Sequence, residues 1–330
     1  MSQGKSKRPI CPSCSKPTRT CLCSRILTPP IPNSVNVTIL QHALECNHPL
    51  NSTRIAKMGL KNLTIATISD VKFESQFLIH LFDSNLSKGL FSDEIEDTHD
   101  LFCDKNSNMI DIDIDCAGLK NDVEDVIFNN SRVETVNQVN DDDGGVVVND
   151  EVKKISIRRN GDDVTGAREA LSKGFMVKKL KRKQLNGEEN VEKYEEFELE
   201  VCPGSVLLFP SDNVVSVNDL HYVGFEVKNL IVLDGTWAKA KRIYSENPWL
   251  NILPHLKLEV NEMSLYGEVR NQPKAGYLST IESIVFALKA IGENHKGLDN
   301  LLDTFECMVD DQRRCKDERL SKLLPSREVP

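Results

Sequence analysis

The stretch from Asn229 to Tyr244 constrains the fold most. Residues 229–233 read Asn-Leu-Ile-Val-Leu, a short strand that is apolar without interruption from Leu230 to Leu233. Residues 236–244 read Thr-Trp-Ala-Lys-Ala-Lys-Arg-Ile-Tyr, a basic helix start, and Asp234 and Gly235 stand between the two. A continuous apolar run suits a strand buried on both faces of a parallel sheet. An aspartate and a glycine at the carboxyl end of such a strand lie where open α/β sheets bind ligands. The plainer reading is a turn in which Asp234 or Thr236 caps the helix.

The chain has 330 residues, enough for one large or two small domains. No run of 18 apolar residues is present, so no membrane span is expected. The first residues are polar and basic without an apolar core. No secretory signal is read there, and a cytoplasmic chain is expected, a nuclear one being also open. Ten cysteines in such a chain point to metal binding before disulfides. The formal charge of −9 is uneven. Residues 91–150 hold 17 Asp or Glu against three Lys or Arg, a local −14, and the remainder sums to +5. An acidic insert in a mildly basic body leaves a nucleic-acid partner open.

Residues 1–34 form a cysteine-rich head and linker, with Pro29, Pro30 and Pro32 as a stiff exit. Residues 35–320 are expected to form one α/β domain, interrupted by an acidic insert at about 92–169. Residues 35–40 and 63–68 read as strands, Phe77 to Phe82 as a third, and Gly204 to Ser211 as another. Residues 51–59 suit a short helix capped by Asn51 or Ser52. Ser279 and Glu282 fit a capping box, followed by an apolar face of Ile281, Ile284, Val285 and Leu288. Leu298, Leu301, Leu302, Phe305, Met308 and Val309 suggest a last amphipathic helix. Strands alternating with helices imply a largely parallel sheet. The insert carries Asp-rich and Asn-rich runs and reads as a disordered surface segment. Its Asp111–Asp115 run lacks the glycine and distal glutamate of a calcium loop. Residues 176–200 read as an exposed hairpin around Asn186-Gly187.

Cys11-Pro-Ser-Cys14 and Cys21-Leu-Cys23 supply four thiolates in two close pairs. Tetrahedral zinc takes that donor set, and a closed four-sulfur site is structural. Lys7, Arg8, Lys16, Arg19 and Arg25 can offset the thiolate charge or touch phosphates. The competing reading is a cluster of unmetallated or redox cysteines. The other six cysteines are ungrouped and are expected to be free thiols.

Further blocks follow in order: Gln41-His42-Ala43-Leu44-Glu45, Asn51-Ser52-Thr53-Arg54, Leu208-Phe209-Pro210-Ser211, Asp234-Gly235-Thr236-Trp237, Arg270-Asn271-Gln272-Pro273 and Leu278 to Ser283. With the cysteine head they resemble the DTW-domain family, which includes transfer-RNA uridine aminocarboxypropyltransferases. Ala43 departs from the proline usual in that family, and the long insert is a second departure. The resemblance implies S-adenosylmethionine as donor and N3 of a uridine in tRNA as acceptor. A 3-amino-3-carboxypropyl group moves and methylthioadenosine leaves. It also implies a SPOUT-like, largely parallel α/β sheet with a knotted cofactor region.

Carried onto this chain, the resemblance makes Asp234, Thr236 and Trp237 the catalytic candidates. Asp234 would hold the uridine imide or accept its proton. Thr236 would cap the helix or bond the base. Trp237 would stack on a base or anchor the helix in the core. Leu208, Phe209, Pro210 and Ser211, with Leu278, Ser279 and Thr280, resemble the cofactor loops. Arg270 and Arg54 can pair with the donor carboxylate, with an RNA phosphate, or in an ordinary salt bridge. Gln41 and His42 are substrate-side candidates. Lys239, Lys241 and Arg242 suit tRNA phosphates or a solvated helix face. No membrane and no obligate protein partner is indicated. The alternatives are an S-adenosylmethionine-dependent RNA methyltransferase and a non-catalytic zinc-containing RNA-binding factor. A dinucleotide oxidoreductase is disfavoured, because no Gly-x-Gly-x-x-Gly follows a strand.

Overall fold

The computed structural model describes residues 9–70, 75–82, 109–113, 132–136, 154–158, 170–184, 191–211, 214–216, 226–259, 263–269, 277–293 and 296–322. Its strands are β1 (Asn36–His42), β2 (Leu63–Ile68), β3 (Ser75–Leu81), β4 (Met109–Asp113), β5 (Arg132–Val136), β6 (Lys154–Arg158), β7 (Phe175–Gln184), β8 (Val191–Val201), β9 (Ser205–Leu208), β10 (Val214–Ser216), β11 (Asn229–Asp234) and β12 (His255–Lys257). Four helices bear on the argument: α1 (Thr53–Gly59), α2 (Trp237–Glu246), α3 (Thr280–Ile291) and α4 (Gly297–Ser321). None of the described helices is long and apolar enough to cross a membrane.

Two compact units result. The first comprises residues 1–65, 207–241 and 255–330, and the second residues 66–206 and 242–254. A six-stranded sheet runs in the order β10-β12-β9-β11-β1-β2. The pairs β1–β11, β10–β12 and β12–β9 are parallel, so the sheet is largely parallel as the strand and helix alternation implied. β11 is buried along its whole length, and β1 from its second residue. β11 accordingly reads as an apolar run from Leu230 to Leu233, whereas β1 buries the polar Thr38, Gln41 and His42 among its apolar residues.

The helices of the first unit follow their local signals. The N–H of Thr53 donates to Asn51 Oδ1 at 3.0 Å and starts α1. Ser52 holds the cap position without capping, and its hydroxyl accepts from the Ile281 N–H at 3.4 Å. The capping box at Ser279 and Glu282 is formed in both directions. Ile281, Ile284, Val285 and Leu288 of α3 are buried, as are Leu298, Leu301, Phe305, Met308 and Val309 of α4. Gly59 is small because α4 crosses close to it. A Cβ there would sit 2.2 Å from Leu301 Cδ2.

The second unit contains an antiparallel sheet in the order β4-β3-β7-β8. Residues 176–200 do pair as a hairpin, but not as an exposed one. Phe175, Val177 and Lys179 alternate inward on β7, and Phe197, Leu199 and Val201 do so on β8. Trp249, fully buried, meets Phe175 edge to face at 6.3 Å. Of the acidic insert, only β4, β5 and β6 are described, with β5 and β6 paired antiparallel. The expected disorder of the rest lies outside the described residues.

Candidate active site and cysteine head

A cavity of about 590 Å³ opens in the first unit. It lies at the carboxyl ends of β9, β11 and β12, where open α/β sheets hold ligands. Leu208, Phe209 and Pro210 form one wall, and Leu278, Ser279 and Thr280 form another. The two loops likened to cofactor loops thus line one space, which Asp234 also lines.

Asp234 ends β11 and is 6% exposed. Gln41 Nε2 donates to its Oδ2 at 2.7 Å, and Thr280 Oγ1 donates to its Oδ1 at 2.6 Å. Gln41 stands beside Asp234 because β1 and β11 run parallel in that register. The same amide nitrogen lies 3.4 Å from Asn51 Oδ1. Gly235 permits a tight exit, since a Cβ there would lie 2.9 Å from Lys239 Cβ. Thr236 caps α2, its hydroxyl accepting from the Lys239 N–H at 3.3 Å, and it also lines the cavity. Trp237 is a half-buried wall residue rather than a core anchor. Its ring stacks on Tyr277, with centroids 4.1 Å apart and planes tilted by 33°.

Other anticipated residues take different places. Ser211 is not on the cavity wall, and its Oγ lies 2.6 Å from His255 Nδ1. His42 is buried behind the wall, its Nδ1 accepting from the Leu44 N–H at 3.2 Å. Arg54 turns from the cavity and donates to the Cys46 carbonyl at 3.2 Å. Arg270 lies outside the described residues. Lys239 pairs with Glu45 at 2.7 Å, and Arg242 pairs with Asp70 at 3.1 Å. Lys241 is exposed on α2 without an ion-pair partner among the described residues.

Among the wall residues that escaped the sequence reading as site residues are Glu45, Asn51, Tyr266 and Tyr277. Glu45 and Asn51 stood inside the quoted blocks, and Tyr277 stood one residue before one. Nothing local marked Tyr266. It reaches the wall because Glu282 accepts from Ser264 Oγ at 2.7 Å and from the Leu265 N–H at 3.0 Å, tying that segment to α3.

The cysteine head brings its four sulfurs within 4.8 Å of one another. Cys11 Sγ lies 3.7 Å from Cys23 Sγ, and Cys14 Sγ lies 3.7 Å from Cys21 Sγ. A tetrahedron with metal–sulfur bonds of about 2.3 Å has edges of about 3.8 Å, so the cluster is able to bind a metal ion. Backbone N–H groups of Cys14 and Ser13 lower the Cys11 thiol to about 6. Burial and the neighbouring thiols raise Cys23 to about 12. Cys46, Cys202, Cys307 and Cys315 form no disulfide. Cys103 and Cys116 lie outside the described residues.

The described basic residues of the head, Lys16, Arg19 and Arg25, are already engaged. Lys16, 6% exposed, donates to the Pro49 carbonyl at 2.8 Å. Arg25 pairs with Asp311 at 2.7 Å, and Arg19 pairs with Glu318 at 3.3 Å, both on α4. These charges clamp the head onto its own unit. Lys7 and Arg8 lie outside the described residues.

A largely parallel sheet with a cavity at its strand ends, together with a four-thiolate knuckle, defines a mixed α/β protein with a candidate ligand site and a candidate metal site among the described residues. The family model for the DTW domain matches residues 8–128 and 169–313, and the chain belongs to that family. Its relatives include a Drosophila melanogaster protein called tRNA-uridine aminocarboxypropyltransferase 2, 37% identical over 90 residues, which are 27% of this chain and 35% of that protein. An Arabidopsis thaliana protein called tRNA-uridine aminocarboxypropyltransferase A is 36% identical over 58 residues, which are 18% of this chain and 22% of that protein. The chain thus aligns with roughly a third or less of these relatives' own length. No solved structure matches it.

Proposed function

We propose that the chain is a tRNA-uridine aminocarboxypropyltransferase using S-adenosylmethionine. The observation that carries the reading is convergence. Loops distant in sequence, 208–210, 234–237 and 277–280, line one cavity around a buried aspartate. The names of the two curated relatives support the same reaction class.

The wall fits such a donor. Phe209 and Leu256 are apolar and buried, suited to the faces of an adenine, and the backbone at 208–210 and 278–280 is available to its edges. Trp237 and Tyr277 offer aromatic surface to a planar base. The bound donor supplies a sulfonium-activated carbon. The N3–C bond forms as the C–S bond breaks, its electron pair goes to sulfur, the N3 proton is lost to water and methylthioadenosine leaves. The protein's task is to hold acceptor and donor in line and to keep water from the reacting carbon. A SPOUT-like arrangement with a knotted cofactor region is part of the proposal, and the largely parallel sheet is in keeping with it. So is a structural zinc in the four-thiolate head, for which the sulfur spacing speaks.

The test is to incubate the protein with tRNA and labelled S-adenosylmethionine and to weigh the nucleosides after digestion. Addition of an aminocarboxypropyl group to uridine is the expected result. A methylated nucleoside would replace the proposal with a methyltransferase. Tight tRNA binding with no transfer would replace it with an RNA-binding factor.

A further inference from the structure

Asp234 is a buried carboxylate whose partners among the described residues are neutral. Gln41 and Thr280 each donate one bond, at 2.7 and 2.6 Å, and among the described residues no lysine, arginine or histidine pairs with it. The other carboxylate on the cavity wall, Glu45, has Lys239 at 2.7 Å. Lys257 also lines the cavity but forms no ion pair with Asp234. Two donors aimed at two oxygens hold the group in one orientation and require it to be an acceptor. An anion taken out of water without a counter-charge is costly. Here it faces a cavity, so a ligand can bring that charge.

We propose that Asp234 is the fixed counter-ion for the α-ammonium of the donor's amino-acid arm, with Gln41 and Thr280 as its positioning residues. This rests on the transferase reading above and names what Asp234 does within it. The donor carries two cationic centres, and catalysis separates them. The sulfonium loses its charge as the C–S bond breaks, so an anion held against it would stabilise the ground state more than the transition state. The ammonium keeps its charge throughout, and an anion there holds the ligand equally before and during transfer. Gripping the ammonium also decides which carbon reacts, because it fixes the aminocarboxypropyl arm rather than the methyl group. A carboxylate is a weak base for an imide N–H, and both oxygens of Asp234 already accept a bond. A counter-ion role asks of it only what it already is.

The experiment is calorimetric titration of the full chain and its Asp234→Asn variant with three ligands. S-adenosylmethionine has both cationic centres, S-adenosylhomocysteine has only the ammonium, and methylthioadenosine has neither. In the variant, the first two should weaken by about ten-fold or more while methylthioadenosine binds as before. That unchanged affinity also reports an intact cavity. Undiminished binding of the first two overturns the proposal. Loss confined to S-adenosylmethionine puts the anion at the sulfonium and overturns it as well. Equal loss of all three makes Asp234 a structural residue. Wild-type protein that binds none of the three removes the transferase reading itself, an outcome read without the variant.

Discussion

Lys179 is a charged residue placed where β7 puts a core side chain. It is fully buried beneath the rings of Phe77 and Phe197, at 5.8 and 6.0 Å from their centroids. Its counter-ion is Glu196, whose Oε2 lies 2.9 Å away and whose Oε1 meets Lys181 at 2.8 Å. Burial drives the Lys179 ammonium below its usual range against the pull of Glu196. Burial also pushes Glu196 upward, but Lys179, Lys181 and the Ser69 hydroxyl together outweigh it, and its carboxyl ends below the ordinary value. A depressed carboxyl gives stability above its unfolded value that is lost as pH falls through the folded one. Glu196→Gln should therefore destabilise the protein by about 3 kcal/mol near neutral pH, since it strands a buried ammonium. It should also flatten the acid limb of stability below about pH 4.5. Denaturant unfolding of both proteins across that range checks it, and an unchanged midpoint would show the pair to be dispensable. Lys179→Met should be close to neutral, because an apolar chain of similar length fits between the two rings and Glu196 keeps Lys181.

At the scale of elements, the cysteine head braces the loop between β1 and α1. Lys16 holds the Pro49 carbonyl, while Asn51 Nδ2 and Arg54 both donate to the Cys46 carbonyl. That loop supplies Leu50, Asn51 and Ser52 to the cavity wall. With four thiolates at tetrahedral spacing, the purified protein should contain about one zinc per chain. Replacing Cys11 and Cys14 together by serine should abolish it. Metal loss should also raise amide exchange over residues 46–53, because the head is the anchor for Lys16. Metal analysis and hydrogen exchange read the two effects separately. Unchanged zinc in the double variant would end the assignment, and unchanged exchange in the metal-free protein would leave the head without a role at the cavity.

For the whole molecule, net charge is a poor guide to a nucleic-acid partner. The chain is acidic overall, but the acid is concentrated in residues 91–150. Of the three basic residues at the start of α2, Lys239 and Arg242 have acidic partners and Lys241 does not among the described residues. Lys241 is thus the one most free to meet a phosphate. If tRNA is the acceptor, Lys241→Ala should weaken binding and reduce the slope of log affinity against log salt by roughly one. Donor affinity should be unaffected. A titration of tRNA across salt concentrations checks this, and an unaltered slope would remove Lys241 from the interface.

What the sequence by itself determined was local. The strands β2 and β11, the capping box at Ser279, the buried face of α3 and the paired cysteines of the head were all legible, because each depends on neighbours a few positions apart. The resemblance to the DTW family was legible for the same reason, since each of its blocks is short and contiguous. The tertiary structure alone decided how charges and donors pair. Gln41 and Asp234 are 193 positions apart, and only the parallel register of β1 with β11 makes them neighbours. Thr280 reaches Asp234 across 46 positions because α3 begins over the end of β11. Residues 176–200 read as an exposed hairpin around Asn186-Gly187, yet Lys179 lies inside because β3 and β8 flank β7 and aromatic residues close over it. Arg19 and Arg25 were open to phosphate until α4 supplied Glu318 and Asp311. Periodicity is written in adjacent residues, whereas the partner of a buried charge is set by chain segments that meet only on folding.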